Sequence, residues 1–118
     1  MTNEEVDKVE EILGYHFKDP GLLKEALTHS SFYYPFRPLV SYERLEFVGD
    51  AVLNCLVGRW VYSMYPDLPP GQLTRLRAAN VDTEKLTRVA VCCDLHLYIR
   101  HKAPLLNEQV LVNNDNLL

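Results

Sequence analysis

No apolar run in this sequence approaches the ~18 residues a membrane-spanning helix needs, so a helical membrane protein is not expected. Cysteine is scarce. The 3 present, Cys55, Cys92 and Cys93, are an odd number with no CxxC pair. That excludes a disulfide framework and fits a reducing compartment inside the cell. Cytoplasm or nucleus is the expected setting, with an organelle left open. Positive charge is also short: 12 Lys and Arg against 16 Asp and Glu give a net charge of −4. No strong global field draws in nucleic acid, so a polyanionic ligand must be met by metal ions or by local Arg and Lys. The acidic start, Met1-Thr-Asn-Glu-Glu5, is neither a signal peptide nor a transit peptide. Repeats, low-complexity segments and signs of a second domain are lacking too.

What is present reads as helix almost throughout. With 118 residues, 47% of them hydrophobic, the chain suits one all-α domain with a modest core. Val6, Val9, Ile12 and Leu13 form a first stripe that ends at Gly14, a C-cap residue. Asp19-Pro20 reads as N-cap and first-turn proline of a second helix, with Leu22, Leu23, Ala26 and Leu27 inward. Ser31 to Val40, with Pro35, Pro38 and four aromatics, reads as an ordered loop.

Ser41 is placed to cap a long third helix that Pro66 stops near Tyr65. Leu45, Val48, Val52, Cys55, Leu56 and Arg59 share one side of it. Leu53 and Val57 lie opposite. A helix apolar nearly all round is expected in the middle of a bundle. A turn at Asp67-Leu-Pro-Pro-Gly71 leads to a fourth helix with Leu73, Leu76 and Ala79 inward. Asp82 or Thr83 caps a fifth, with Leu86, Val89, Ala90 and Cys93 inward, and a short helix is expected over 95–100. Past Ala103-Pro104 the pattern weakens toward a frayed helix or a cut end.

The chemistry concentrates in Glu43-Arg-Leu-Glu46-Phe-Val-Gly-Asp50-Ala51. With Glu46 as reference, Asp50 falls about 40° round the helix and Glu43 about 60°. Like charges crowded on an apolar helix repel, and a divalent cation is the natural remedy. Glu46 and Asp50, one turn apart, reach one small ion together. Mg²⁺ suits such a site, since it takes a few carboxylates and keeps several waters. Gly49 leaves room beside Asp50. The competing account is a solvated acidic face with Arg44 as ion-pair partner, and the residues alone leave the two near parity.

These nine residues closely resemble the signature of the ribonuclease III family. Leu13-Gly-Tyr-His-Phe-Lys-Asp-Pro20, Ala26-Leu-Thr-His-Ser30 and Gly71-Gln-Leu-Thr-Arg-Leu-Arg77 with Val81 resemble its neighbouring segments. The likeness runs from about residue 5 to about residue 110, a specific match unlike a lone short motif. Ala103-Pro-Leu-Leu-Asn-Glu-Gln109 looks closer to plant ribonuclease III-like and Dicer-like members. The resemblance implies an all-helical endonuclease domain that forms a homodimer and cuts double-stranded RNA with Mg²⁺, Mn²⁺ being an alternative ion. It implies 5′-phosphate and 3′-hydroxyl ends and a short 3′ overhang. Catalytic residues would be Glu46 and Asp50 as metal ligands, with Glu43 in support. Phe47 would enter a socket on the second subunit, where the residue alone reads as ordinary core.

The sequence also departs from the family. The second acidic pair, an Asp and a Glu three residues apart on a later helix, has no match through Leu118. Pro70 stands where an acidic residue is often found. No double-stranded-RNA-binding domain is expected within these 118 residues, and the last helix of the bundle is expected to be missing from them. A non-catalytic RNA-binding or dimerisation module, or a truncated isoform, is therefore the alternative reading. A helical protein-interaction domain is the third.

Other residues fall into place around this. Cys92, Cys93, His96 and His101 are poorly spaced for zinc. His29 suits a helix-end contact better than a triad, with Ser30 and Ser31 too near in sequence to serve it. Arg75 and Arg77 are the candidate RNA contacts, ahead of Arg88, Arg100 and Lys102, against the plain reading of a solvated face. Little base specificity is expected toward an A-form duplex.

Overall fold

The structure, a computed structural model, describes residues 1–33 and 40–102. Five α-helices follow one another: α1 Asn3–Leu13, α2 Pro20–Ala26, α3 Glu43–Met64, α4 Pro70–Asn80 and α5 Thr83–Cys92, with a 3-10 turn at Leu95–Tyr98. Among the described residues the only β-type pairing is one bridge between Thr28 and Arg100.

Local chemistry sets most of the boundaries. Thr2 and Glu5 form a capping box at the start of α1, which satisfies donors the helix cannot. Gly14 closes α1 at φ 63°, a conformation a side chain resists. The Asp19 carboxylate accepts the Gly21 N–H at 2.9 Å, with Pro20 opening α2. The Asp82 carboxylate does the same for Lys85 N–H at 2.9 Å in α5. Pro70 opens α4, its missing N–H costing nothing there. At α3 the expected cap is displaced by one residue. Tyr42 is the N-cap, while Ser41 is buried and its hydroxyl accepts the Glu43 N–H at 3.4 Å.

The core lies at one end. Val6, Val9 and Leu23 are buried, with Phe17, Leu27, Leu95 and Tyr98 against them. Leu13 and Leu22, expected inside, are half-exposed. Ala26, Ala79, Leu86 and Val89 also face outward.

The largest correction concerns α3. It does not run through the middle of the described bundle. Val61, 2% exposed, is its one buried residue, and Leu45, Leu53 and Val57 are half-buried. The stripe expected inside, Val48, Val52 and Leu56, is more than half exposed. The reason is where its neighbours sit: α4 runs along α3 and α2 meets it. They cover the Leu53–Val57–Val61 line, which continues the line of Glu46 and Asp50 at steps of three and four residues. The carboxylates thus stand at the open end of the helix seam. The ordered-loop reading of Ser31–Val40 falls partly on residues 34–39, and the reading of Ala103–Leu118 wholly, outside the described residues. No helix among the described residues is long and apolar enough to cross a membrane.

Candidate active site

Glu46 and Asp50 open onto one cleft between α3 and α5, about 370 Å³ in volume. Leu53, Val81 and Leu86 give it apolar walls, and Asn54, Thr83 and Thr87 give it polar ones. The Asn54 amide donates to the Asp50 carbonyl at 2.9 Å, which anchors that side chain beside the acid. Among the described residues no ion pair engages Glu43, Glu46 or Asp50, and Arg44 pairs with none of them. All three carboxylates are exposed, so a solvated acidic face remains compatible with the structure, without Arg44 as its ion-pair partner.

Glu43 is placed differently. It lines a neighbouring shallow hollow with Glu25, Arg44, Leu45, Phe47 and Val48. Tyr42 connects the two. Its pKa is raised above the ordinary 10.0, first by burial and then by the negative charge of Glu46 and Glu43. Tyr42 is itself fixed: its N–H donates to the Thr28 carbonyl at 2.9 Å and its ring meets the His29 ring edge-on at 5.7 Å.

Two carboxylates one turn apart with polar groups opposite fit a hydrated divalent ion, since Mg²⁺ binds through one or two carboxylates and retains water. No third Asp, Glu, His or Cys completes a cluster with them among the described residues. Glu46 and Asp50 are therefore the pair that would hold the ion. Gly49 faces open space, so the room it leaves is not filled by this chain.

Phe47 is 83% exposed, which overturns the core reading of that residue. The Arg77 stem packs over Gly58, with its Cδ 3.6 Å from where a β-carbon would stand. Gly58 lies two turns along α3 from Asp50, about 12 Å at 1.5 Å per residue. Arg75 is exposed on the same helix as Arg77.

Arg100, a weaker candidate for RNA contact, is engaged within the fold. Its guanidinium donates to Thr28 Oγ1 at 2.6 and 3.0 Å and reaches the Lys24 carbonyl at 3.4 Å. It also lies 4.8 Å over the Phe32 ring. His29 does meet Ser31, contrary to the sequence expectation: their side chains are 2.8 Å apart and the Ser31 N–H donates to His29 Nδ1 at 3.1 Å. The Ser31 hydroxyl also accepts the Lys102 N–H at 3.0 Å, so the pair closes a turn. The cysteines are free and join no metal cluster among the described residues.

Sequence reading missed Asn54, Thr83 and Thr87. Asn54 carried a signal, since it follows Asp50 by one helical turn. The two threonines sit on another helix and carried none.

The protein-family model described as Ribonuclease-III-like matches residues 19–112. Ribonuclease 3-like protein 3 of Oryza sativa subsp. japonica is 63% identical over 90% of this chain and 36% of its own length. Endoribonuclease Dicer homolog 1 of Arabidopsis thaliana is 51% identical over 86% of this chain and 5% of its own length. The chain thus spans about a third or less of these curated relatives. Among solved structures, the nuclease domain of ribonuclease III from Campylobacter jejuni superposes with a TM-score of 0.78 at 35% identity, covering 99% of this chain and 78% of that one. A second structure of that domain, described for flexibility in a region involved in dimer formation, gives 0.78 at 34% identity, over 92% of this chain and 77% of its own. A signature that folds into one shared carboxylate cleft, on the fold of these nuclease domains and with plant members among its relatives, makes this chain a member of the ribonuclease III family.

Proposed function

We propose that this chain is the nuclease part of an endoribonuclease that hydrolyses phosphodiester bonds of double-stranded RNA with Mg²⁺. The observation that carries the reading is the open cleft shared by Glu46 and Asp50, free of any ion pair among the described residues. When bound there, Mg²⁺ would polarise the phosphodiester and favour hydroxide near neutral pH. Glu46 and Asp50 supply the negative charge that holds it. Leu53, Val81 and Leu86 limit water on the apolar side of the cleft. Glu43 adds negative potential from the next hollow.

The exposed Phe47 supports a homodimer, since a large ring held in solvent gains from a partner's pocket. The exposed Arg75 and Arg77 support contact with phosphates, which position a duplex without reading its bases. The free thiols support an intracellular setting, in cytoplasm or nucleus.

The test is cleavage of a duplex RNA in Mg²⁺. Products with 5′-phosphate ends are expected, with cleavage abolished by chelation, Asp50→Asn or Glu46→Gln. Cleavage that survives Asp50→Asn defeats the proposal. One observation favours a second reading, a module of the same fold that binds or dimerises without cutting: no third metal-ligating side chain joins the pair among the described residues. Duplex binding without cleavage, unaffected by Asp50→Asn, would select it.

A further inference from the structure

Thr87 occupies an unusual place. It lines the cleft of Glu46 and Asp50, and it lines the adjoining hollow that Glu46 shares with Tyr42, Leu45 and Ala90. Thr87 thus shares both hollows with Glu46, as Leu86 does, and it is the one of the two that carries a hydroxyl. Thr83 precedes it by one turn of α5 and lines the same cleft. Two hydroxyls spaced by four residues on α5 thus oppose two carboxylates spaced by four on α3.

The Thr87 hydroxyl has no hydrogen bond among the described residues. Mid-helix hydroxyls usually bond the carbonyl one turn back. Ser63 does so to Arg59 and Thr74 to Pro70, each at 3.0 Å. Thr87, half-buried, does not, although the Thr83 carbonyl is in the right register. A threonine hydroxyl both donates and accepts, so it can accept a hydrogen bond from a metal-bound water or donate one to a carboxylate. Groups of this kind orient a metal's ligands, and removing one weakens binding by about tenfold or more.

Resting on the reading of Glu46 and Asp50 as magnesium ligands, we propose that the Thr87 hydroxyl, with Thr83 beside it, is a positioning group for the water shell of that ion. Its own contact is with water and with Glu46, not with RNA. Thr87→Val keeps the shape of the side chain and removes the hydroxyl, while Thr87→Ser keeps the hydroxyl.

The experiment titrates the full chain with MgCl₂ in the absence of RNA, following the backbone amide signals of Asp50 and Thr87 by NMR. Thr87→Val is expected to weaken Mg²⁺ binding by about tenfold and Thr87→Ser to restore it. Thermal melts without metal should be alike for the three proteins. Equal Mg²⁺ affinity in Thr87→Val and the parent, or a loss that Thr87→Ser fails to restore, overturns the proposal. A parent titration that Glu46→Gln leaves unchanged defeats the metal reading itself, and the role of Thr87 with it.

Discussion

The two ends of the molecule are built on opposite terms. At one end α1, α2 and the 3-10 turn enclose Val9, 0% exposed, and pack Val6 and Leu23 beside it. Polar groups there are closed around Thr28, although His96 Nδ1 and His101 Nδ1 are buried without a hydrogen-bond partner among the described residues. Thr28 is buried and meets both Arg100 and the Lys24 carbonyl. The main chain locks the join: His29 N–H donates to the Arg100 carbonyl at 2.9 Å, and Arg100 N–H to the Leu27 carbonyl at 2.7 Å. At the other end α3 carries apolar residues on its surface and carboxylates that no ion pair engages among the described residues. The first end is a clamp and the second a working face. Tyr42 ties them, since its N–H bonds Thr28 and its side chain feels Glu46. The lesson is that a carboxylate pair need not be buried to be placed; it needs a rigid root one turn away.

The sharpest way to break this contrast is at the clamp. Arg100→Ala leaves the buried Thr28 hydroxyl without its charged partner and strips the cation from Phe32. A loss of about 3 kcal/mol in urea unfolding is expected, from a charge-assisted bond removed at a buried group. Arg100→Lys should recover only part, because an ammonium lacks the guanidinium fork. A change under about 0.5 kcal/mol for Arg100→Ala would show that the clamp holds nothing.

A matched pair of valines tests the contrast more finely. Val9→Ala opens a hole in the core and should cost about 2 kcal/mol. Val52→Ala, at a residue 53% exposed, should stay within about 0.5 kcal/mol. Both are read from urea melts at several protein concentrations. If Val52→Ala costs as much as Val9→Ala, and more at high concentration, that face is covered by another copy in solution.

These regions also differ in how legible they were. Gly14, Asp19-Pro20, Pro66 and Asp82 announced helix ends because caps act within a few residues of sequence. The carboxylate signature was legible for the same reason: one helix carries it whole. The covered side of α3 was not. Val48, Val52 and Leu56 look as apolar as Leu53, Val57 and Val61, and composition does not say which side a neighbour takes. The Arg100 clamp joins residues 72 apart in sequence, so nothing local betrays it. Thr87 shares a cleft with Glu46 only because the fold places α5 across from α3.

The smallest expected effect is a pH dependence at the joint between the two ends. Tyr42 holds its proton more tightly in the folded chain than the ordinary 10.0, through burial first, then Glu46 and Glu43. Below pH 10.0 the phenol is neutral folded or unfolded, and its contribution is fully present. Above it the unfolded chain ionises first and the folded state binds more protons. Stability therefore falls as pH rises from that value through the folded pKa. Tyr42→Phe should remove Tyr42's share of the alkaline fall, measured as the difference in urea midpoint between neutral and alkaline buffer. Glu46→Gln should remove a smaller part, because burial outranks the charge of Glu46 among the causes. An alkaline fall identical in Tyr42→Phe and the parent would mean that this ring is not wedged between clamp and carboxylates, and the two ends would then be joined only through the backbone of α3.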